Sequence, residues 1–316
     1  VTVPAEATEH RAAQARLAAA AATRAGAAWR EVDTTEIRGD WAARLPGVLA
    51  MLTSGQYAAA QLSDPYLARL LGGAAPPAAA PVPAALAGVA SDGRDLATLL
   101  MQPAAAALAY LAAGRPLADA MALGLALLDM IVRTQVADAA RVADLIGLAA
   151  RPGVVAYTRV VQLPACARCI ILAGQTYPWS TGFERHPNCD CALVPLRPGV
   201  DDAPDSPREL FEQMAREQQD RRFGAAAAAA IRAGADIAQV VNARRGLTVA
   251  GGREFTTEGT SARGLSGRIL GQLRRVPGYQ YRMSTVPRPT AEQLIADARG
   301  DHAEAIRLLR RFGYLT

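Results

Sequence analysis

Lysine is missing altogether, so all 34 basic residues are arginine and every cationic contact this chain makes is made by a guanidinium. Aromatic residues are 5% of the 316, too few for a core massed from large rings. There are three histidines, His10, His186 and His302. A hydrolase with a histidine base would have to use one of them. The strings H-E-x-x-H and G-x-S-x-G do not occur, and no H-x-E precedes the cysteines, which removes the sequence signals of a zincin protease, a nucleophile-elbow hydrolase and a zinc deaminase. No uncharged apolar run reaches the roughly 18 residues that a membrane span needs; the longest stretch, 121–132, is broken by Asp129. Residues 1–11 carry Glu6 and Glu9 and no apolar core, so no secretory signal is expected. The composition excludes a collagen-like chain, a disulfide-dense secreted domain and a wholly disordered acidic tail.

What the chain has in excess is alanine, 71 residues. Alanine buries little surface but favours helix, so the expected core is spread thinly along long helices. A GC-rich genome accounts for both the alanine and the arginine bias. Residues 5–30 read as one helix. A second runs over 36–71, with Pro46 and Pro65 as candidate breaks; among its large residues Ile37, Trp41, Leu45, Val48 and Leu52, and then Leu67 and Leu70, stand at steps of three and four. The Pro- and Gly-rich stretch 72–88 is expected to be an extended surface loop. Helices over 94–113 and 117–150 follow, the latter with a stripe of Met121, Leu125, Leu128, Val132, Val136, Val142 and Leu145 that shifts near Asp138. Such stripes are the mark of helix-on-helix packing.

The texture changes at Val154, where VVAYTRVVQ predicts a strand. Three parts are expected: a helical domain over 1–151, a small metal-stabilised α+β knuckle over 152–200, and a mainly helical basic domain over 201–316. The fold class is therefore mainly α. In the last part Ser206, Thr290 and Asp301 are helix caps, and 247–260 suits a hairpin or loop. Charge is uneven. Residues 1–151 hold 12 Arg and 13 acids, whereas 201–316 hold 18 Arg and 14 acids. Arg244, Arg245, Arg253, Arg263, Arg268, Arg274 and Arg275 lie in one stretch with only Glu254 and Glu258 against them, and Tyr279 and Tyr281 lie nearby. Arginine interleaved with aromatics can contact phosphates and stack on bases; a solvated basic face, or one that meets an acidic protein partner, is the alternative.

All four cysteines fall in CARCIILAGQTYPWSTGFERHPNCDC, residues 166–191. Two thiolates separated by two residues face one metal across a tight turn, and a second pair closes a tetrahedron when the chain doubles back. The candidates are Cys166, Cys169, His186, Cys189 and Cys191, five for four places. An extended Cys189-Asp190-Cys191 favours four cysteines; a turn at Pro187–Asn188 favours three with His186. A closed site of this kind holds structural zinc and supplies folding energy to a module with little core. Two disulfides, or four buried thiols, are the alternatives, and disulfides are disfavoured without a secretory signal.

This segment resembles the zinc-knuckle region of MuF-like minor capsid proteins, the head morphogenesis family of tailed bacteriophages: the C-x-x-C, the L-A-G turn, an aromatic pair and H-P-N-C-x-C. Asp190 stands where many members have Arg. The flanking strings PAEATEH, GVASDGR, TQVADAARVA, ADIAQVVNARRG, TTEGT and AIRLLRRFGYL extend the likeness over nearly the whole chain, toward the actinobacterial-phage branch. The resemblance implies a portal-associated minor component of the virion head, present in the host cytoplasm during assembly. Its expected partners are the portal protein, the major capsid or scaffold protein and packaged DNA, with no membrane. It also carries the label of capsid maturation protease, for which no nucleophile–base pair is visible. A zinc-containing nucleic-acid-binding protein unconnected with a virion is a further alternative.

Overall fold

The structure is a computed structural model. It describes residues 3–72, 75–79, 81–91, 93–151, 153–180, 186, 189, 191–196, 205–243, 247–250, 253–258, 273–275, 282–299 and 301–312. The chain divides into two compact units, Val1–Gln162 with Gly174–Pro204, and Leu163–Ala173 with Asp205–Thr316.

The first unit is a helical bundle carrying a small sheet. Its helices are α1 (Ala5–Arg30), α2 (Ile37–Gln61), α3 (Ser63–Leu71), α4 (Leu96–Leu100), α5 (Gln102–Ala112) and α6 (Leu117–Ala149). The chain leaves α2 at Leu62, so the break falls just ahead of Pro65, which sits in the first turn of α3 where its missing N–H costs nothing. Pro46 does not break α2. It lies on the exposed face with Ala42, whose carbonyl loses its helical partner but can be hydrated. Pro103 likewise opens α5, dividing the expected 94–113 helix in two.

α6 is the spine of the bundle and packs against α1, α2 and α5. By length and composition it is apolar enough to cross a membrane, and 39% of its most apolar stretch is buried in the bundle. Alanines 18, 21, 22 and 25 of α1 are buried against the cluster that contains Leu128, Ile131, Val132 and Val136 of α6. Small side chains let the helix axes come close. At Gly124 a Cβ would stand 2.2 Å from Trp29 Cζ2, and at Gly147 one would stand 2.6 Å from Leu67 Cδ1. Trp29 meets Trp41 edge to face, ring centroids 5.0 Å apart. Each indole N–H finds a carbonyl, Trp29 on Met121 O at 2.9 Å and Trp41 on Leu100 O at 2.7 Å. The Pro-rich loop contains a 3-10 turn, Pro83–Leu86, and is pinned by the buried Gln56, which accepts from Gly88 N and donates to Val89 O, both at 2.8 Å.

The sheet is antiparallel with order β2-β1-β3, where β1 is Ala156–Val160, β2 Thr176–Pro178 and β3 Ala192–Pro195. β1 is the centre strand, as its β-branched run predicts, and pairs Thr158 with Thr176 on one side and with Val194 on the other.

The second unit contains α7 (Ala167–Ile170), α8 (Pro207–Glu212), α9 (Arg216–Phe223), α10 (Ala225–Arg232), α11 (Ile237–Asn242), α12 (Ala291–Asp297) and α13 (His302–Arg311). Ser206 and Glu209 form a reciprocal capping box on α8, and Thr290 and Asp301 cap α12 and α13 as their spacing predicts. Phe211 and Phe223 pack edge to face at 5.2 Å. Between α11 and α12 the unit also carries a four-stranded antiparallel sheet, order β4-β5-β7-β6, from β4 (Leu247–Ala250), β5 (Arg253–Glu258), β6 (Leu273–Arg275) and β7 (Arg282–Pro289). The expected hairpin is β4–β5; the other two strands were not legible, because their Arg-, Gly- and Pro-rich stretch shows no alternation. The molecule remains mainly α.

Candidate metal centre

The two limbs of the cysteine segment are built differently. On the first, Cys166 is the N-cap of α7, with extended backbone, and its sulfur accepts from Cys169 N at 3.4 Å. One helical turn therefore presents both sulfurs of the C-x-x-C. On the second, Cys189 N donates to His186 O at 3.1 Å. Cys191 then leads directly into β3.

The ligand atoms of Cys166, Cys169 and His186 all lie within 4.8 Å of one another, and so do those of Cys169, Cys189 and Cys191. The structure brings together all five residues that the sequence singles out, with Cys169 common to both groups. Cys169, Cys189 and Cys191 are buried, while Cys166 and His186 are half-buried. None of the four cysteines is in a disulfide. These five residues form a cluster that can bind a metal ion. The donors are soft sulfurs and one imidazole, with no carboxylate in either group, a set that suits a borderline-soft ion over a hard one.

Polar side chains that sequence reasoning passed over support the second limb. Arg159 projects from β1 with 1% of its surface exposed, and its Nη2 lies 3.4 Å from Cys191 Sγ and 3.6 Å from Cys189 Sγ. Arg141 of α6 donates through Nη1 to Cys189 O and through Nη2 to Asp138 Oδ1. Tyr66 of α3 donates to Leu193 O of β3 at 2.7 Å. Its ring stacks on His10 at 4.0 Å, and His10 Nε2 lies 3.0 Å from both Asp144 carboxylate oxygens. Burial pushes the Tyr66 phenol well above its ordinary pKa, with the Asp144 and Glu6 charges adding to the effect, so it stays a neutral donor. The limb that runs from Cys189 into β3 is thus fastened to the bundle by a guanidinium at Cys189 O and a phenol at Leu193 O. The available signals were Arg159 inside an apolar β run and three charged residues, Asp138, Arg141 and Asp144, within the shifted part of the α6 stripe.

Arg244, Arg245, Arg263 and Arg268 lie outside the described residues. Arg253 opens β5, and Arg274 and Arg275 lie on the edge strand β6, opposite Met283 and Arg282 of β7.

A helical bundle carrying a small sheet with a Cys/His cluster is the class that fold and site define. Residues 2–217 match the VG15 protein family, and the chain belongs to that family, one of bacteriophage virion proteins. The match takes in the bundle and the whole of the cysteine segment. No curated protein and no solved structure matches the chain.

Proposed function

We propose that this protein is a MuF-like minor capsid protein that acts in head morphogenesis, bound at the portal vertex inside the phage head, with its cysteine segment organised by structural zinc. The observation that carries the reading is the gathering of Cys166, Cys169, His186, Cys189 and Cys191 within a chain of the VG15 family. Zinc suits the donors: sulfurs bound at about 2.3 Å in a tetrahedron stand about 3.8 Å apart, inside the 4.8 Å limit within which these ligand atoms lie. With four protein ligands the ion has no open position and serves the fold rather than a reaction. Bound there, it would serve the cysteine segment itself, whose second limb Tyr66 and Arg141 hold through Leu193 O and Cys189 O.

The assembly partners expected on this reading are the portal protein and, beyond it, the major capsid or scaffold protein and packaged DNA. The maturation-protease alternative draws no support from the His10–Asp144 pair. His10 is 3% exposed and Asp144 0%, and the imidazole is covered by the Tyr66 ring. Quantitative mass spectrometry of purified virions and of heads assembled with and without portal tests the assignment. The protein is expected in purified particles and is expected to be lost from portal-less heads. Its absence from particles would overturn the reading.

A further inference from the structure

We propose that Arg159 is the outer-sphere countercharge of the metal centre, a positioning residue whose guanidinium holds the Cys189–Cys191 sulfur pair in place and retains the ion. The inference rests on the metal reading of the cluster. Arg159 sits in the middle strand of the small sheet, paired with Leu193 of β3, two residues beyond Cys191. Its backbone is fixed on the other side as well, its N–H donating to Gln175 O at 2.9 Å and its carbonyl accepting from Gly174 N at 3.0 Å. The side chain has little freedom to leave.

A guanidinium does not lose its proton, so burying one calls for negative charge close by. The sulfurs 3.4 and 3.6 Å from Nη2 would contribute it as metal-bound thiolates. A disulfide or a pair of neutral thiols would not. The need is mutual, because a divalent ion held by three or four thiolates is a net anion, and its own burial is helped by an adjacent cation. N–H groups donated to ligating sulfur also fix the direction of its lone pairs.

Arg141 makes an instructive contrast. It too is buried and grips the same limb, but through the Cys189 carbonyl, and Asp138 cancels its charge. Arg141 holds backbone; Arg159 alone of the two faces sulfur. The two arginines should therefore separate in experiment.

The test uses the full chain as Arg159→Gln, Arg159→Lys and Arg141→Gln beside the wild type, with zinc release to a chromogenic chelator and the cobalt(II)-substituted absorption spectrum as readouts. Arg159→Gln should give up zinc about 10–100-fold more readily and should shift the sulfur-to-cobalt charge-transfer band. Arg159→Lys, which keeps the charge but not the planar donor, should lie between it and the wild type. Arg141→Gln should lower thermal stability and leave the band unmoved. If Arg159→Gln does not fold, the Lys variant carries the test, and an unshifted band with unchanged release overturns the proposal. Wild-type retention and spectrum in a folded Arg159→Gln would show that Arg159 only fills the core. A wild type that takes up neither zinc nor cobalt would overturn the metal reading itself, a result distinct from failure of the arginine proposal.

Discussion

Tyr66 joins the bundle to the knuckle at the scale of one side chain. Its hydroxyl serves the backbone of β3 while its ring face covers the His10–Asp144 pair. Tyr66→Phe keeps the ring but leaves the buried Leu193 carbonyl without this donor. The expected loss is about 1–3 kcal/mol, read from chemical denaturation. The same residue gives a pH signature. Its folded pKa is raised, so the stability it contributes is fully present below the ordinary phenol value of 10.0 and is lost as pH rises above it toward the folded value. Lysine is absent, so nothing but tyrosine and cysteine side chains titrates in that range. Denaturation midpoints measured from pH 9 upward should fall less steeply in Tyr66→Phe than in the wild type, and equal slopes would count against this assignment.

Among the elements, α6 decides how closely the bundle packs, and glycine is what its partners need at the crossing points. Gly124→Ala places a methyl against the Trp29 indole, whose N–H is already committed to Met121 O. Overpacking of this kind costs about 1–3 kcal/mol, and a thermal melt should show it; unchanged stability would mean that the α1–α6 contact is looser than described. The helices were legible because large residues and alanines alternate with the helical period, and because prolines fall at element starts. The exception, Pro46, survives where water can satisfy the freed carbonyl. The five cysteine and histidine candidates were legible from spacing alone. What was not legible is what periodicity does not encode: Asp138, Arg141 and Asp144 look like solvated positions of a helix, yet α6 is surrounded there and buries them. Arg159 looks like an interruption of a strand, and becomes meaningful only once β3 is laid beside β1. The sheet β4–β7 escaped because its strands draw on stretches without alternation.

At the scale of the whole molecule, family membership covers the bundle and the knuckle, and the metal cluster lies inside that stretch. If the ion organises the segment from Cys166 to Cys191, its removal should reach beyond the ligands, because Arg141 holds Cys189 O and Tyr66 holds Leu193 O of β3 to the bundle. Chelation at neutral pH should lower the thermal midpoint of the wild type and have no further effect on Cys166→Ser, and metal added back should restore only the wild type. The alanine excess, which base composition alone would explain, also has a structural use here: it is what lets α1 approach α6.

The most direct measurement is the metal content of the full chain purified without chelator, determined by inductively coupled plasma mass spectrometry beside Cys166→Ser and Cys189→Ser. The account predicts about one zinc per wild-type chain, as a closed four-ligand site requires, and a marked loss in both variants. Background zinc in the wild type, or the same content in all three proteins, would contradict it.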